Sequence, residues 1–141
     1  MILLDTNVVS EPLKLTGDVG VLNWIDAQIV ETLYLSAISL AELRFGIAAL
    51  PPGKRQETLH TSLEQRILPL FVGRILPFDA AASEAYALLR ARARAEGKAI
   101  APTDGYIAAT ATTHGLIVAT RDTGPFEAAG LTVINPWIAR L

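Results

Sequence analysis

The sequence contains no cysteine. A disulfide framework, a thiolate metal site and a thiol nucleophile are thereby excluded, and a reducing cytoplasm suits the chain. It has two histidines, His60 and His114. The first falls within a polar helical stretch; the second precedes Gly115 at a helix end, where a cation suits the dipole. Neither reads as a general base. No apolar run approaches the ~18 residues of a membrane span, and no basic stretch leads into one near Met1, so neither a membrane segment nor a signal peptide is expected. The Gly-x-Ser-x-Gly elbow of serine hydrolases is missing. So are a Gly-x-Gly-x-x-Gly after a strand and a Gly-Lys-Ser/Thr, which disfavours dinucleotide folds and P-loop kinases. With a formal charge of −2, the chain also lacks the whole-chain basic footprint of a nucleic-acid binder.

What is present is an apolar chain. Its 141 residues are 51% hydrophobic and 18% charged, which excludes disorder and points to an apolar surface patch or a partner. The length suits one domain over residues 1–141 with a proper core. Short runs rich in β-branched residues predict strands at Met1–Leu4, Leu33–Ser36, Arg74–Phe78, Leu116–Ala119 and Leu131–Ile134. Helical periods predict helices over Val19–Val30, Ser39–Leu50, Lys54–Leu70, Ala80–Glu96, Thr103–His114 and a short one near Gly124–Ala129. Pro51-Pro52-Gly53 separates two of these, Asp79 is an expected N-cap, and Gly97 and Gly115 fall where left-handed caps belong. Strands alternating with helices predict a parallel sheet covered on both faces.

Four acids stand out against this pattern. Asp5 and Asp122 follow the first and fourth strand runs, where ligands of open α/β sheets bind. Glu42 falls in an Ala-rich helical pattern with apolar neighbours, and Asp104 opens the helix that feeds the fourth strand. Each has an ordinary reading: Asp5 as a cap of a segment beginning near Thr6, Glu42 as an exposed helical residue, Asp104 as a first-turn anion, Asp122 as a turn former. Gathered in one crevice they repel, at about 4 kcal/mol per pair at 4 Å and an effective dielectric of 20. The sequence offers no matching set of cations beside them. Either some of the carboxylates protonate or a divalent cation sits among them, and oxygen-only ligands select Mg2+ or Mn2+ over zinc. Such a site activates water and stabilises charge on a phosphorus centre. Thr6, Asn7, Thr103 and Thr120 are adjacent in sequence and suited to orienting carboxylates or water, or to plain turn and capping chemistry.

The segments Leu3-Leu-Asp-Thr-Asn7, Ser39-Leu-Ala-Glu-Leu43, Thr103-Asp-Gly-Tyr-Ile-Ala-Ala109 and Ala119-Thr-Arg-Asp-Thr123, in this order, resemble the PIN-domain nucleases. The likeness runs from Met1 to Trp137 and looks like the VapC toxins of type II toxin–antitoxin pairs. It is nearest the FitB-like subgroup, given Ser10-Glu-Pro12, Ile67-Leu-Pro-Leu-Phe71 and Arg74-Ile-Leu-Pro-Phe-Asp79. The resemblance implies a three-layer α/β/α fold around a mostly parallel sheet of about five strands. It implies Asp5, Glu42, Asp104 and Asp122 as catalytic ligands of Mg2+ or Mn2+, and hydrolysis of RNA. It also implies a homodimer, a higher toxin–antitoxin assembly, and a small DNA-binding antitoxin through which alone promoter DNA is met. Arg90, Arg94, Lys98 and Arg121 then become candidate RNA contacts, although basic helix faces are commonly just solvated. A rival enzyme class, the aspartyl phosphatase, needs a second Asp two positions after Asp5, where this chain has Asn7. A non-enzymatic alternative is a regulatory subunit whose main role is to dimerise a DNA-binding antitoxin at its promoter.

Overall fold

The computed structural model describes residues 1–139. β1 (Ile2–Leu4) pairs in parallel with β2 (Leu33–Ser36) on one side and with β4 (Ile117–Ala119) on the other. The edge strands are β3 (Ile75–Leu76) beside β2 and β5 (Val133–Ile134) beside β4, giving the order β3-β2-β1-β4-β5, all parallel. The helices are α1 (Thr6–Val9), α2 (Val19–Asp26), α3 (Ala37–Ala48), α4 (Lys54–Thr61), α5 (Ala80–Ala95), α6 (Pro102–His114) and α7 (Thr123–Ala128).

Alternation along the strands builds two cores. Leu4, Leu33, Leu35 and Ala119 face one side, where α1, α2 and α3 bring Val8, Val9, Trp24, Leu40 and Leu43. Leu3 and Val118 face the other, against Leu89 of α5, Ile107 and Ala108 of α6, and Phe126 of α7. The strands are thus buried on both faces, which is why they read as unbroken apolar runs. Each large apolar side chain so buried contributes about 1.5–3 kcal/mol. The layers are helix, sheet, helix, as expected from the sequence.

Caps set the helix ends. Asp79 Oδ1 accepts from Ala82 N at 3.0 Å, and Gly97 and Gly115 adopt φ of 74° and 64°. Three expectations need correction. The pattern over Lys54–Leu70 is not one helix: α4 ends at Thr61, a π-helical turn spans Ser62–Ile67 and a 3-10 turn spans Leu68–Phe71. Pro69 has no N–H to donate and its ring would clash one turn back, so the α ladder cannot run through it. The helix expected over Val19–Val30 stops at Asp26, and Val30–Thr32 forms a separate 3-10 turn. The strand expected at Arg74–Phe78 shrinks to two residues: Pro77 has no N–H for the ladder, and Arg74 turns its own N–H back to Phe71 O at 2.8 Å. Its guanidinium donates to the carbonyls of Val30 (2.7 Å), Leu33 (2.6 Å) and Leu70, tying both 3-10 turns to β2.

Candidate active site

The carboxyl ends of β1, β2 and β4 lie side by side, and the residues leaving them form one network. Asp5 ends β1 and is 5% exposed. It caps α1, its Oδ1 accepting from Thr6 N at 2.8 Å, while its Oδ2 accepts from the Thr120 hydroxyl at 2.8 Å. Thr120, itself fully buried, accepts in turn from Asp122 N at 3.0 Å. Asn7 locks the same two loops together, giving its amide to Thr120 Oγ1 at 3.4 Å and accepting from Arg121 N at 3.3 Å. The exits of β1 and β4 are therefore one unit, with Asp122 fixed through its backbone.

The exit of β2 is joined by hydroxyls. Ser36 caps α3, accepting from Ser39 N at 3.0 Å, and the two serine oxygens lie 3.3 Å apart. Thr6 Oγ1 lies 2.9 Å from Ser39 Oγ and donates to Glu42 Oε1 at 2.6 Å. A hydroxyl has one proton. Because Thr6 gives its proton to the carboxylate, Ser39 must be the donor to Thr6, and the chain runs Ser39–Thr6–Glu42. Both serines are fully buried. Sequence reasoning missed this pair; the available signal was a serine at the end of a strand with a second one three residues on, the positions of a helix cap and of the N–H it accepts from.

Asp104 enters from the first turn of α6, where Pro102 starts the helix. It is half-buried, and its carboxyl is pushed up, first by burial and then by the charges of Asp122 and Glu42. The Asp5 carboxyl is pushed up to about 6, chiefly by burial and further by Asp104 and Glu42, against the opposing bonds from Thr120 and Thr6. Each acid thus feels at least one of the others, and four acids far apart in the chain share one field. Glu42 is exposed, contrary to the apolar company its sequence neighbours suggested: Leu40 and Leu43 turn to the core while Ala41 and Glu42 turn out. Asp122 is exposed as well.

Among the described residues, no three Asp, Glu, His or Cys side chains close around a single point as a metal cage would require. The donor set still fits Mg2+ or Mn2+. Mg2+ usually takes only one or two carboxylates and keeps its waters, and carboxylates that repel one another stand apart until a cation draws them in. Of the other sequence candidates, Thr6, Asn7 and Thr120 are in the network. Thr103 is half-buried beside Asp104, and no hydrogen bond among the described residues joins it to an acid. Arg121 is exposed at the rim, its guanidinium 5.1 Å from the Trp137 ring centroid. Among the described residues Arg90, Arg94 and Lys98 bond none of the four acids; they line a groove along α5.

A parallel sheet carrying acids at the carboxyl ends of its strands defines a known class. The family model described as PIN domain matches residues 2–131. The chain is 62% identical to a VapC ribonuclease of Sinorhizobium fredii, over 97% of this chain and 98% of that protein. It is 58% identical to Toxin FitB of Neisseria gonorrhoeae, over 97% and 99% respectively. A solved structure of FitAB bound to an IR36 DNA fragment superposes with a TM-score of 0.96 at 55% identity, covering 100% of this chain and 99% of that one. The chain belongs to the PIN-domain family, in its branch of VapC- and FitB-type toxins.

Proposed function

We propose that this chain is a metal-dependent endoribonuclease of one domain, the toxin of a type II toxin–antitoxin pair. The observation that carries this is the carboxylate group itself: Asp5, Asp104, Glu42 and Asp122 share one field, no cation among the described residues bonds any of them, and the Asp5 carboxyl is pushed up to about 6. Bound there, Mg2+ or Mn2+ would supply the activated water and charge neutralisation that phosphodiester hydrolysis needs. Asp5, Glu42, Asp104 and Asp122 are the residues that would hold the ion. Thr120 and Thr6 fix the orientation of Asp5 and Glu42, and Asn7 holds the two loops at one spacing. With Glu42 and Asp122 exposed, the acids form an open ledge, which a polymer can reach along its length.

The relatives extend the reading to partners. A FitB-type chain is seen in a FitAB complex on DNA, so this chain is expected to pair with itself and with a small DNA-binding antitoxin in a cytoplasmic assembly that meets promoter DNA through the antitoxin. The same complex favours a second reading, in which the chain chiefly dimerises its partner at the promoter and cleaves little. Among the described residues no helix is long and apolar enough to cross a membrane.

One experiment separates the two. Free and antitoxin-bound protein are titrated against a panel of RNAs with Mg2+ or Mn2+, beside the Asp104→Asn variant. The ribonuclease reading expects cleavage by the free wild type only, leaving 5′-phosphate ends and stopping on chelation. Cleavage at the wild-type rate by folded Asp104→Asn would remove the site assignment, and no cleavage of any RNA by free wild type would favour the regulator.

A further inference from the structure

Beside Asp104 lies an aromatic group that no part of the acid network uses. Tyr86 of α5 and Tyr106 of α6 stack with ring centroids 4.8 Å apart and planes 23° from parallel. Phe78, just past β3, meets both edge-on at 5.9 and 5.0 Å. All three are only half-buried. Arg90 continues the line: its Nη1 donates to the Tyr86 hydroxyl at 2.7 Å and its Cζ stands 5.4 Å from that ring's centroid.

Tyr86, Arg90 and Arg94 are spaced by four residues and share one face of α5, and Lys98 follows just beyond the helix. From Arg90 onward this face borders a groove of about 830 Å³ lined by Arg90, Arg94 and Lys98 with Ala91, Ala95 and Ile100. The alanines leave its floor clear. Arg94 and Lys98 are exposed, and among the described residues Lys98 pairs with Glu96 alone, at 3.6 Å with both side chains over half exposed, so the pairing is weak.

Gly105 joins this line to the acids. A Cβ there would stand 2.9 Å from Tyr86 Cε2 and 3.2 Å from Arg90 Cδ, so the turn of α6 that carries Asp104 is pressed directly against Tyr86 and Arg90. The helical turn that carries Asp104, the stacked rings and Arg90 are therefore in direct contact.

We propose that Tyr86 and Tyr106 are a base-stacking platform, continued by Arg90, Arg94 and Lys98 as a backbone track, that leads single-stranded RNA to the carboxylates. The proposal rests on the ribonuclease reading and names how its substrate is held. Unpaired bases stack on aromatic and guanidinium planes whatever their sequence, and cations in a groove follow the phosphates. A polymer approaching four acids needs such cations, because the acids alone repel it. Tyr86 packs in part against the core, yet both rings are only half-buried and keep exposed surface next to the turn that carries Asp104.

The test measures binding by fluorescence anisotropy, in an Asp104→Asn background, to a labelled 12-nucleotide single-stranded RNA and to a duplex RNA of equal length. Tyr106→Ala is expected to weaken single-strand binding about five- to a hundredfold, and Tyr106→Phe to restore it. An Arg94→Ala/Lys98→Ala double variant, whose residues are exposed and outside the core, should lower the slope of log affinity against log salt by roughly 1.4. Binding of the duplex should be weaker and indifferent to Tyr106. Unchanged affinity and slope in folded variants overturn the track, as does preferential duplex binding. So does a Tyr106→Ala protein that changes only its oligomeric state in light scattering, which would make this face a contact between two copies. If the Asp104→Asn protein binds no RNA at low salt, the ribonuclease reading falls as well; if it binds and the variants match it, only the track falls.

Discussion

At Asp5 two readings of one residue turn out to be compatible. Its side chain caps α1, as an aspartate after a strand ordinarily does, and it also accepts from Thr120 inside the field of Asp104 and Glu42. Capping and ligation use the same carboxylate because the strand end that needs a cap is also where the crevice opens. Thr120 is the residue on which this arrangement hangs. Thr120→Val keeps the shape, removes the donor to Asp5 and leaves Asp122 N without its acceptor; the expected loss is about 1–3 kcal/mol of stability and a large fall in cleavage. Thr120→Ser should keep most of both. Equal thermal melts and equal rates for the valine variant would contradict the network. The acids themselves were legible because charge in an apolar pattern is conspicuous. Ser36 and Ser39 were not, since a serine at a helix start looks the same whether or not its hydroxyl continues to a carboxylate 2.9 and 2.6 Å further on.

The titration of Asp5 also belongs to this scale. Its carboxyl is raised by burial from 3.8 to about 6, so between these values the folded chain holds a proton that the unfolded chain has released. This group therefore favours folding fully below about pH 4, and that contribution fades as pH rises through 6, a difference worth roughly 3 kcal/mol. Other carboxyls run the opposite way: Glu64 is held down chiefly by its Arg44 bond. The comparison must isolate Asp5. Asp5→Asn, melted in chelator, is expected to gain on wild type by up to roughly 3 kcal/mol between about pH 4 and about pH 7. A difference independent of pH would show that Asp5 is not a strained carboxylate.

Among the elements, α6 carries the tightest constraint. Its first turn holds Asp104, and Gly105 lets that turn lie against α5 at 2.9 Å from Tyr86 for the missing Cβ. Gly105→Ala forces the two helices apart at that point, with an expected cost of about 1–3 kcal/mol and a displacement of Asp104 that lowers cleavage more than stability alone explains. Melting and single-turnover cleavage of the same preparation check both parts; an alanine variant as stable and active as wild type would mean the contact yields freely. The helices α5 and α6 were legible because each is an Ala-rich run between clear stops, Asp79 and Gly97 around α5, Pro102 and Gly115 around α6, and α3 because its run ends before Pro51-Pro52. The segment from Lys54 to Phe71 was not: its apolar residues suit a helix, while Pro69 stops the α ladder and the segment continues as a π-helical and then a 3-10 turn.

For the whole molecule, parallel order is what turns four separated residues into one site. The arrangement β3-β2-β1-β4-β5 puts the exits of β2, β1 and β4 in adjacent places, and α6 returns Asp104 to the same edge. Alternation of strands and helices made that sheet legible, but the order of its strands is set by packing on two cores that no local period reports. The central claim is that the repulsion among Asp5, Glu42, Asp104 and Asp122 is relieved by a divalent cation. Mn2+ binding followed by electron paramagnetic resonance of the free ion tests it most directly, on wild type, Asp5→Asn, Asp104→Asn and, as a control away from the site, Glu64→Gln. The account predicts Mn2+ uptake by wild type and Glu64→Gln, weakening in wild type as pH falls below about 6, and at least roughly tenfold weaker uptake by both Asp variants. Equal uptake by all four proteins, or none by wild type at pH 7, would contradict it.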